Sequence, residues 1–190
     1  LVACIILGKR IGFPKEPMAP HSLTLTGVGT GLLWVGWFGF NAGSALEANG
    51  SAALAFINTF VATASAGLFW MLAEKLNGHK GSALGFCSGI IAGLVAVTPA
   101  AGNSGPFGAI ILGAVASIIC FYAVTVIKPK LGYDDSLDAF GIHGVGGMIG
   151  AIGTAIVYSP AFGGPGAEDY VIFDKLLVQL YAVGVTIVWA

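Results

Sequence analysis

The sequence predicts an all-α protein, a polytopic bundle of helices that cross a membrane. Of its 190 residues 56% are hydrophobic, and only 9% are charged, against roughly 25% in soluble globular proteins. The stretches without any Asp, Glu, Lys or Arg are long: 17–46, 48–73, 81–127 and 139–167. A soluble domain of this length cannot keep so much apolar surface from water. Composition therefore excludes the soluble classes.

Each span is identified from the length of an apolar run. A helix needs about 20 apolar residues to cross a bilayer core of about 30 Å. Two prolines and two glycines at 98–107 predict a turn that divides the run 81–127 into two spans. The spans of the one transmembrane domain over 1–190 are a remnant at 1–8, then 22–46, 51–74, 82–99, 104–127, 136–158 and 171–190.

Basic residues assign the cytoplasmic side, because Lys and Arg accumulate on cytoplasmic loops near spans. Seven of the eight lie in three loops that fall on one side: Lys9, Arg10, Lys15, Lys75, Lys80, Lys128 and Lys130. Lys175 is the exception. The net charge of −1 offers no polybasic surface, so nucleic acid is not an expected partner.

Glycine is abundant, with 30 residues, and it recurs inside the spans at a spacing of four. The pairs are Gly27/Gly31, Gly39/Gly43, Gly89/Gly93 and Gly146/Gly150. Such small residues let helix backbones approach closely in a membrane. The pattern predicts a tightly packed bundle that is surrounded by lipid.

His143 is the one ionisable side chain expected deep in a span, about 12 Å beyond Asp135 along the helix. Buried ionisable groups in membranes are costly and functional by default. A neutral imidazole can accept and donate hydrogen bonds to a small polar solute in a passage. The alternative is a structural imidazole bonded to a neighbouring carbonyl or hydroxyl. Without a second His, Cys or carboxylate at ligand spacing, no metal site is predicted, and no cofactor.

Asp135 and Asp138 open the same span. Their spacing is typical of a helix start, with Asp135 as the cap and Asp138 in the first turn. Carboxylates there interact with the positive end of the helix dipole. We therefore interpret both as structural.

Trp37, Phe40 and Ser44 follow an i, i+3, i+7 spacing near the outer end of the span 22–46, so they share one helical face. One interpretation is an aromatic belt at the membrane interface. The other is the mouth of a passage, where aromatic faces attract a small cation, a hydroxyl supplies one hydrogen bond and Phe40, which lies deeper, blocks hydrated ions.

Three motifs resemble the ammonium transporter (Amt/Mep) family: Gly-Trp-Phe-Gly-Phe-Asn-Ala-Gly-Ser at 36–44, Val-Thr-Pro-Ala at 97–100, and the run from 132 to 147 that contains His143. Gly-Lys-Arg at 8–10 is similar to the end of that family's fifth helix. The resemblance extends in order over essentially the whole chain.

The resemblance implies a fold of eleven helices in which helices one to five and six to ten form an inverted repeat. On that template the chain covers the tail of helix five, helices six to ten and the start of helix eleven, the second half of the fold. It also implies a homotrimer in the cell (plasma) membrane, with one pore per subunit. A PII-type regulatory protein that docks on the cytoplasmic loops is a further implied partner.

The resemblance also implies roles for the residues that stand at matching positions of the family's motifs. His143 resembles the helix-ten member of a pore-lining histidine pair, Phe40 the inner phenylalanine of the gate, and Ser44 part of the outer recruitment site, with Trp37 nearby. The other histidine, the outer phenylalanine and the recruitment-site tryptophan of the family are expected outside this chain, before Leu1.

Further matches are Leu33 and Ala139 at pore-lining positions, and Asp135 as the acid that opens the helix. The resemblance implies transport of ammonium or ammonia. The alternative is an ammonium sensor that couples the same membrane domain to a signalling module. An intramembrane enzyme is not expected, because the sequence lacks a nucleophile with its base and a metal-ligand set.

Overall fold

The computed structural model describes residues 1–16 and 18–190. Its regular structure is helical throughout the described residues, and six of its helices are long and apolar enough to cross a membrane. In chain order the helices are α1 (Val2–Leu7), α2 (Leu23–Gly43), α3 (Gly50–Leu76), α4 (Ala83–Ala100), α5 (Pro106–Leu131), α6 (Phe140–Val157) and α7 (Ile172–Trp189).

Side-chain caps start three of the helices. Ser22, Asn49 and Ser82 each accept a hydrogen bond from a backbone N–H of the turn that follows, at the starts of α2, α3 and α4. This satisfies one of the N–H groups that a helix leaves free at its N-terminus. Pro106 begins α5, where the missing N–H of proline has no cost.

The turn expected at 98–107 is shorter in the structure. A 3-10 turn over Thr98–Ala100 continues α4 past Val97, so Pro99 lies in helical backbone rather than in a loop. Proline has no N–H to donate to the carbonyl of Val95, which accepts from the N–H of Thr98 instead, and the backbone tightens to a 3-10 turn. Between α4 and α5, the non-helical segment is therefore only the stretch from Ala100 to Pro106.

The core lies where α3, α4 and α5 pack together. Small residues bring the backbones close: a Cβ on Gly93 would lie 2.6 Å from the Cβ of Ala66 and 2.9 Å from the carbonyl oxygen of Ala62. Toward the C-terminal end of α3, Trp70 packs edge-on against Phe121, with ring centroids 5.7 Å apart. The predicted close packing is therefore present at Gly93.

The remaining long helices flank this core. α2 contacts α3 and α4, and α6 contacts α4, α5 and α7. Only Thr30 and Asn41 of α2 are buried, and α7 has no buried residue. α2 and α7 thus present most of their side chains to the surroundings of the chain.

Two of the basic loops come together at one end of the bundle. The Arg10 guanidinium pairs with Asp134, and Lys128 pairs with Asp138, both in the loop before α6. At the same ends of α3 and α5, the Asn77 amide donates to the Tyr122 hydroxyl at 3.2 Å. These contacts lie at the end that the sequence assigns to the cytoplasm.

Candidate functional site

The outer end of α2 carries an aromatic pair. The rings of Trp37 and Phe40 meet edge to face, with centroids 5.8 Å apart and planes at 69°. The indole Nε1 of Trp37 donates to the hydroxyl of Thr98 at 2.8 Å, while Phe40 is 61% exposed. A bonded indole holds its ring in one orientation, and the exposed Phe40 faces open space.

Ser44 lies just beyond the helix rather than inside it. α2 ends at Gly43 instead of continuing to 46, and Leu46 has a left-handed φ of 58° that interrupts the helix. Ser44 keeps helical backbone angles, and its hydroxyl donates to the carbonyl oxygen of Phe40 at 2.6 Å. Its hydroxyl oxygen retains its capacity to accept a hydrogen bond.

Two cavities adjoin this helix end, and Phe40 lines both. One, of about 430 Å³, is bounded by apolar groups of one face of α2: Leu32, Leu33, Gly36, Trp37 and Phe40. The other, of about 340 Å³, lies between the ends of α2, α3 and α4 and includes Ser44, Ser51, Thr98 and Asn103 in its walls. Phe40 therefore borders both the cavity with polar groups in its wall and the apolar one.

Asp135 lies five residues before α6, which begins at Phe140 rather than at 136, so it is not the cap residue itself but bonds the helix start from the preceding loop. Its carboxylate accepts from the backbone N–H groups of Ala139 at 3.0 Å, Phe140 at 2.7 Å and Gly141 at 3.2 Å. The residue is 2% exposed. One carboxylate thus satisfies three N–H groups and interacts with the positive end of the helix dipole.

Asp138 differs from the prediction. It precedes the helix with a left-handed φ of 54°, and its carboxylate pairs with Lys128 at the end of α5. The backbone N–H of Asp138 donates to the carbonyl of Asp135 at 3.1 Å, which folds the loop into a tight turn and removes Asp138 from the first helical turn. Burial raises the pKa of Asp138, and the ammonium of Lys128 opposes that shift.

His143 is an exposed residue of α6. It belongs to a π-helical turn over Phe140–Gly144, which packs beside a second π-helical turn over Ala123–Ile127. π turns interrupt regular α-helices and are frequent at functional sites. The ring is therefore not enclosed by the side chains of this chain.

Leu33, Trp37, Phe40 and Ser44 lie together along α2, whereas Ala139 and His143 belong to the start of α6. The two groups are on separate helices, and both helices pack against α4. α4 therefore fixes how the α2 group and the α6 group are placed relative to each other.

Sequence reasoning missed three polar contacts. Thr98 bonds Trp37, the buried amide of Asn41 donates to Thr59 at 3.0 Å, and the amide of Asn58 donates to two backbone carbonyls of the outer turn. The available signal was a polar side chain within a charge-free run, since membrane helices use such groups to join one another.

The Arg10 and Asp134 pair was also missed. Arg10 donates to one Asp134 oxygen from its backbone N and Nε, both at 2.8 Å, and to the other from a terminal guanidinium nitrogen at 2.7 Å. These hydrogen bonds lower the pKa of Asp134 to about 2. The two partners are 124 residues apart, so sequence alone gave no sign of the contact.

No group of three or more His, Cys, Asp or Glu side chains suited to a metal ion occurs among residues 1–16 and 18–190. The fold and the site define a multi-pass integral membrane protein with aromatic and apolar groups along an open helix face. Comparison with known proteins identifies its family.

The family model described as Ammonium Transporter Family matches residues 1–190. An ammonium transporter of Aquifex aeolicus (strain VF5) is 48% identical over 190 residues, which cover 100% of this chain and 44% of that protein. The crystal structure of Saccharomyces cerevisiae Mep2 matches with a TM-score of 0.87 and 37% identity over 99% of this chain and 45% of that one. The chain belongs to the ammonium transporter family.

A solved structure described as a sensor Amt protein also matches, with a TM-score of 0.89 and 33% identity over 98% of this chain and 47% of that one. The chain thus spans about half the length of the proteins it matches. The relatives are named for membrane transport rather than for an enzymatic reaction. The all-α membrane fold and the family resemblance predicted from sequence are both confirmed.

Proposed function

We propose that the chain forms the second-repeat half of a protein that moves ammonium or ammonia across the cell membrane through an apolar passage. The observation that carries the proposal is the cavity of about 430 Å³ bounded by Leu33, Trp37 and the exposed Phe40. Family membership supports the choice of solute, since the relatives are named ammonium transporters.

Trp37, Phe40 and Ser44, at the outer end of α2, bind the cation before it enters the passage. The π faces of Trp37 and Phe40 attract a small cation, and the hydroxyl oxygen of Ser44 accepts a hydrogen bond from it. Phe40 then excludes the hydration shell, since its exposed ring lines both cavities. Leu33 and Ala139 line the wall beyond it in this proposal.

An apolar passage selects by charge. Moving an isolated ion into a medium of low dielectric costs tens of kcal/mol by Born estimates, so ammonium crosses as neutral ammonia once it gives up its proton. Potassium ion has no proton to give up and is rejected. The imidazole of His143 can hydrogen-bond ammonia or relay its proton without a permanent charge.

The assembly follows from the same family relationship: three copies in the cell membrane, each with its own passage, and cytoplasmic loops available to a PII-type regulator. The solved sensor-type structure shares this half of the fold. No contact in the described residues favours sensing over transport, so transport is the function we propose.

The test uses the full-length protein in proteoliposomes with methylammonium uptake as the readout. We expect His143→Ala to reduce uptake by roughly tenfold or more, because it removes the hydrogen-bonding group of the passage. His79→Ala is the matched control, since His79 is an exposed loop residue outside every span, and it should leave uptake unchanged. Wild-type uptake and ammonium selectivity in His143→Ala would remove His143 from the mechanism.

Phe40→Ser addresses the gate separately. A small polar side chain should admit hydrated potassium and lower the preference for ammonium, measured as potassium flux under the same gradient. A variant that still excludes potassium as the wild type does would show that Phe40 is not the barrier. Failure of the wild-type protein itself to take up methylammonium would refute the proposed transport.

A further inference from the structure

The outer turn between α4 and α5 is buried although its backbone is irregular. Ala101 is 3% exposed and Ser104 is fully buried. Because both residues lie outside regular helix, their carbonyl oxygens do not accept the backbone hydrogen bonds of a helix. Irregular backbone at such a place is tolerated only where the protein supplies donors.

Asn58 of α3 supplies them. Its amide nitrogen lies 2.8 Å from the carbonyl oxygen of Ala101 and 2.6 Å from that of Ser104. The side chain is fully buried, and each of its two N–H groups serves one carbonyl. Asn58 thereby ties the turn to α3, 43 residues away in sequence from Ala101.

The same turn adjoins the residue that orients Trp37. Thr98 lies in the 3-10 turn that ends α4, and its carbonyl accepts from the N–H of Ala101, the first residue of the outer turn, at 3.5 Å. The Thr98 hydroxyl donates to the carbonyl of Leu94 at 2.8 Å. Its one proton is thereby used, so its oxygen acts as the acceptor for the indole N–H of Trp37 at 2.8 Å. A displacement of the turn therefore moves the acceptor that fixes the indole ring.

We propose that Asn58 is a positioning residue for the outer cation site: it holds the turn that holds Thr98, and through Thr98 it sets the orientation of Trp37 beside Phe40. This inference rests on the proposed function, because it assigns Trp37 to cation recruitment. Asn58 itself does not contact the solute. Its loss affects capture of the cation more than passage beyond the gate.

The experiment pairs Asn58→Ala with Ser117→Ala in the full-length protein. Ser117 is also fully buried and joins two core helices, since its hydroxyl donates to the carbonyl of Ala66 at 2.6 Å, but it does not touch the turn. Both variants lose a buried helix-joining hydrogen bond. Thermal stability, measured by unfolding in detergent, should therefore fall in both.

Two readouts separate positioning from stability. The protein is labelled with 5-fluorotryptophan, and the ¹⁹F resonance of Trp37 is the one absent from Trp37→Phe. We expect Asn58→Ala to shift or broaden this resonance and to raise the KM for methylammonium by roughly threefold or more, with a smaller change in kcat. Ser117→Ala should leave both the resonance and KM unchanged.

A wild-type Trp37 resonance and KM in Asn58→Ala, or equal changes in Ser117→Ala, would overturn the proposal. If Asn58→Ala does not fold, Asn58→Ser replaces it, and Thr98→Val cuts the same connection from the other end. The double variant of Asn58 and Thr98 should then change KM no more than Thr98→Val alone. The ¹⁹F resonance reports on positioning even if the protein does not transport methylammonium, so the two proposals fail separately.

Discussion

The glycines of α4 lie against other helices, whereas those of α2 lie against open space. A Cβ on Gly89 would be 2.7 Å from the carbonyl oxygen of Ala66, and one on Gly93 would be as close to α3. A Cβ on Gly31 or Gly36 would meet nothing within 4 Å. The same spacing of small residues therefore allows close helix packing in α4 and leaves an unoccupied surface along α2.

This difference separates stability from function. Around α4, an added methyl group must displace backbone or a neighbouring Cβ, so it affects folding. Along α2, an added methyl group enters the apolar cavity beside Trp37 and Phe40, so it affects what passes there. Four predictions follow from this contrast, beginning with the largest effect.

Gly93→Ala should destabilise the full-length protein by about 2 kcal/mol or more, because the new Cβ overlaps α3 and the helices must separate. The free energy of unfolding in detergent measures it. Gly50→Ala is the control: Gly50 begins α3, and a Cβ there meets nothing within 4 Å. Equal stability of the two variants would show that α3 and α4 are not in close contact.

Gly36→Ala should leave stability unchanged and lower methylammonium uptake severalfold, since the methyl group narrows the cavity between Leu33 and Phe40. Uptake in proteoliposomes and unfolding in detergent are measured on the same preparation. A loss of stability as large as that of Gly93→Ala would contradict the contrast, since it would mean that this face of α2 packs against another helix.

Local patterns predicted much of this molecule. Charge-free runs indicated the helices, the i, i+3 spacing predicted the contact of Trp37 with Phe40, and the acid before a span predicted the N–H groups bonded by Asp135. Each of these features depends on residues close in sequence, where helix geometry fixes the distances.

Contacts between distant residues were not predictable. Trp37 and Thr98 are 61 residues apart, and Arg10 and Asp134 are 124 apart. Which polar groups meet depends on how helices pack, and one sequence contains no direct record of that packing. The ion pair of Asp138 with Lys128 was missed as well, since it joins the loop before α6 to the end of α5.

The first helix also differs from the core in how it is attached. α1 has no buried residue, and two contacts join this part of the chain to the loop before α6: the Cys4 thiol lies 3.9 Å from Asp135, and Arg10, just after α1, pairs with Asp134. Because the pKa of Asp134 is lowered from 3.8 to about 2, the pair contributes stability above pH 3.8 that is lost as the pH falls toward 2.

Asp134→Asn should therefore lower the thermal midpoint by about 2 °C at neutral pH. The difference from wild type should shrink as the pH falls from 3.8 to 2, where the wild-type carboxylate also becomes protonated. The thermal midpoints of both proteins are compared at each pH, so that the contribution of the other acidic groups, which both proteins share, cancels in the difference. A constant difference at every pH would show that the charge of Asp134 does not stabilise the fold.

The smallest effect is expected at Asp138, where two contributions oppose each other. Its left-handed φ of 54° is unfavourable for a residue with a Cβ, by about 1 kcal/mol, and glycine removes that cost. Glycine also removes the ion pair with Lys128, worth about 0 to 1 kcal/mol for partly exposed groups. Asp138→Gly should consequently change the free energy of unfolding by less than about 0.5 kcal/mol.

The control is Asp138→Ala, which loses the pair and keeps the backbone strain. It should be less stable than Asp138→Gly by about 1 kcal/mol. If both variants lose the same amount, the pair with Lys128 rather than the backbone determines stability at this position.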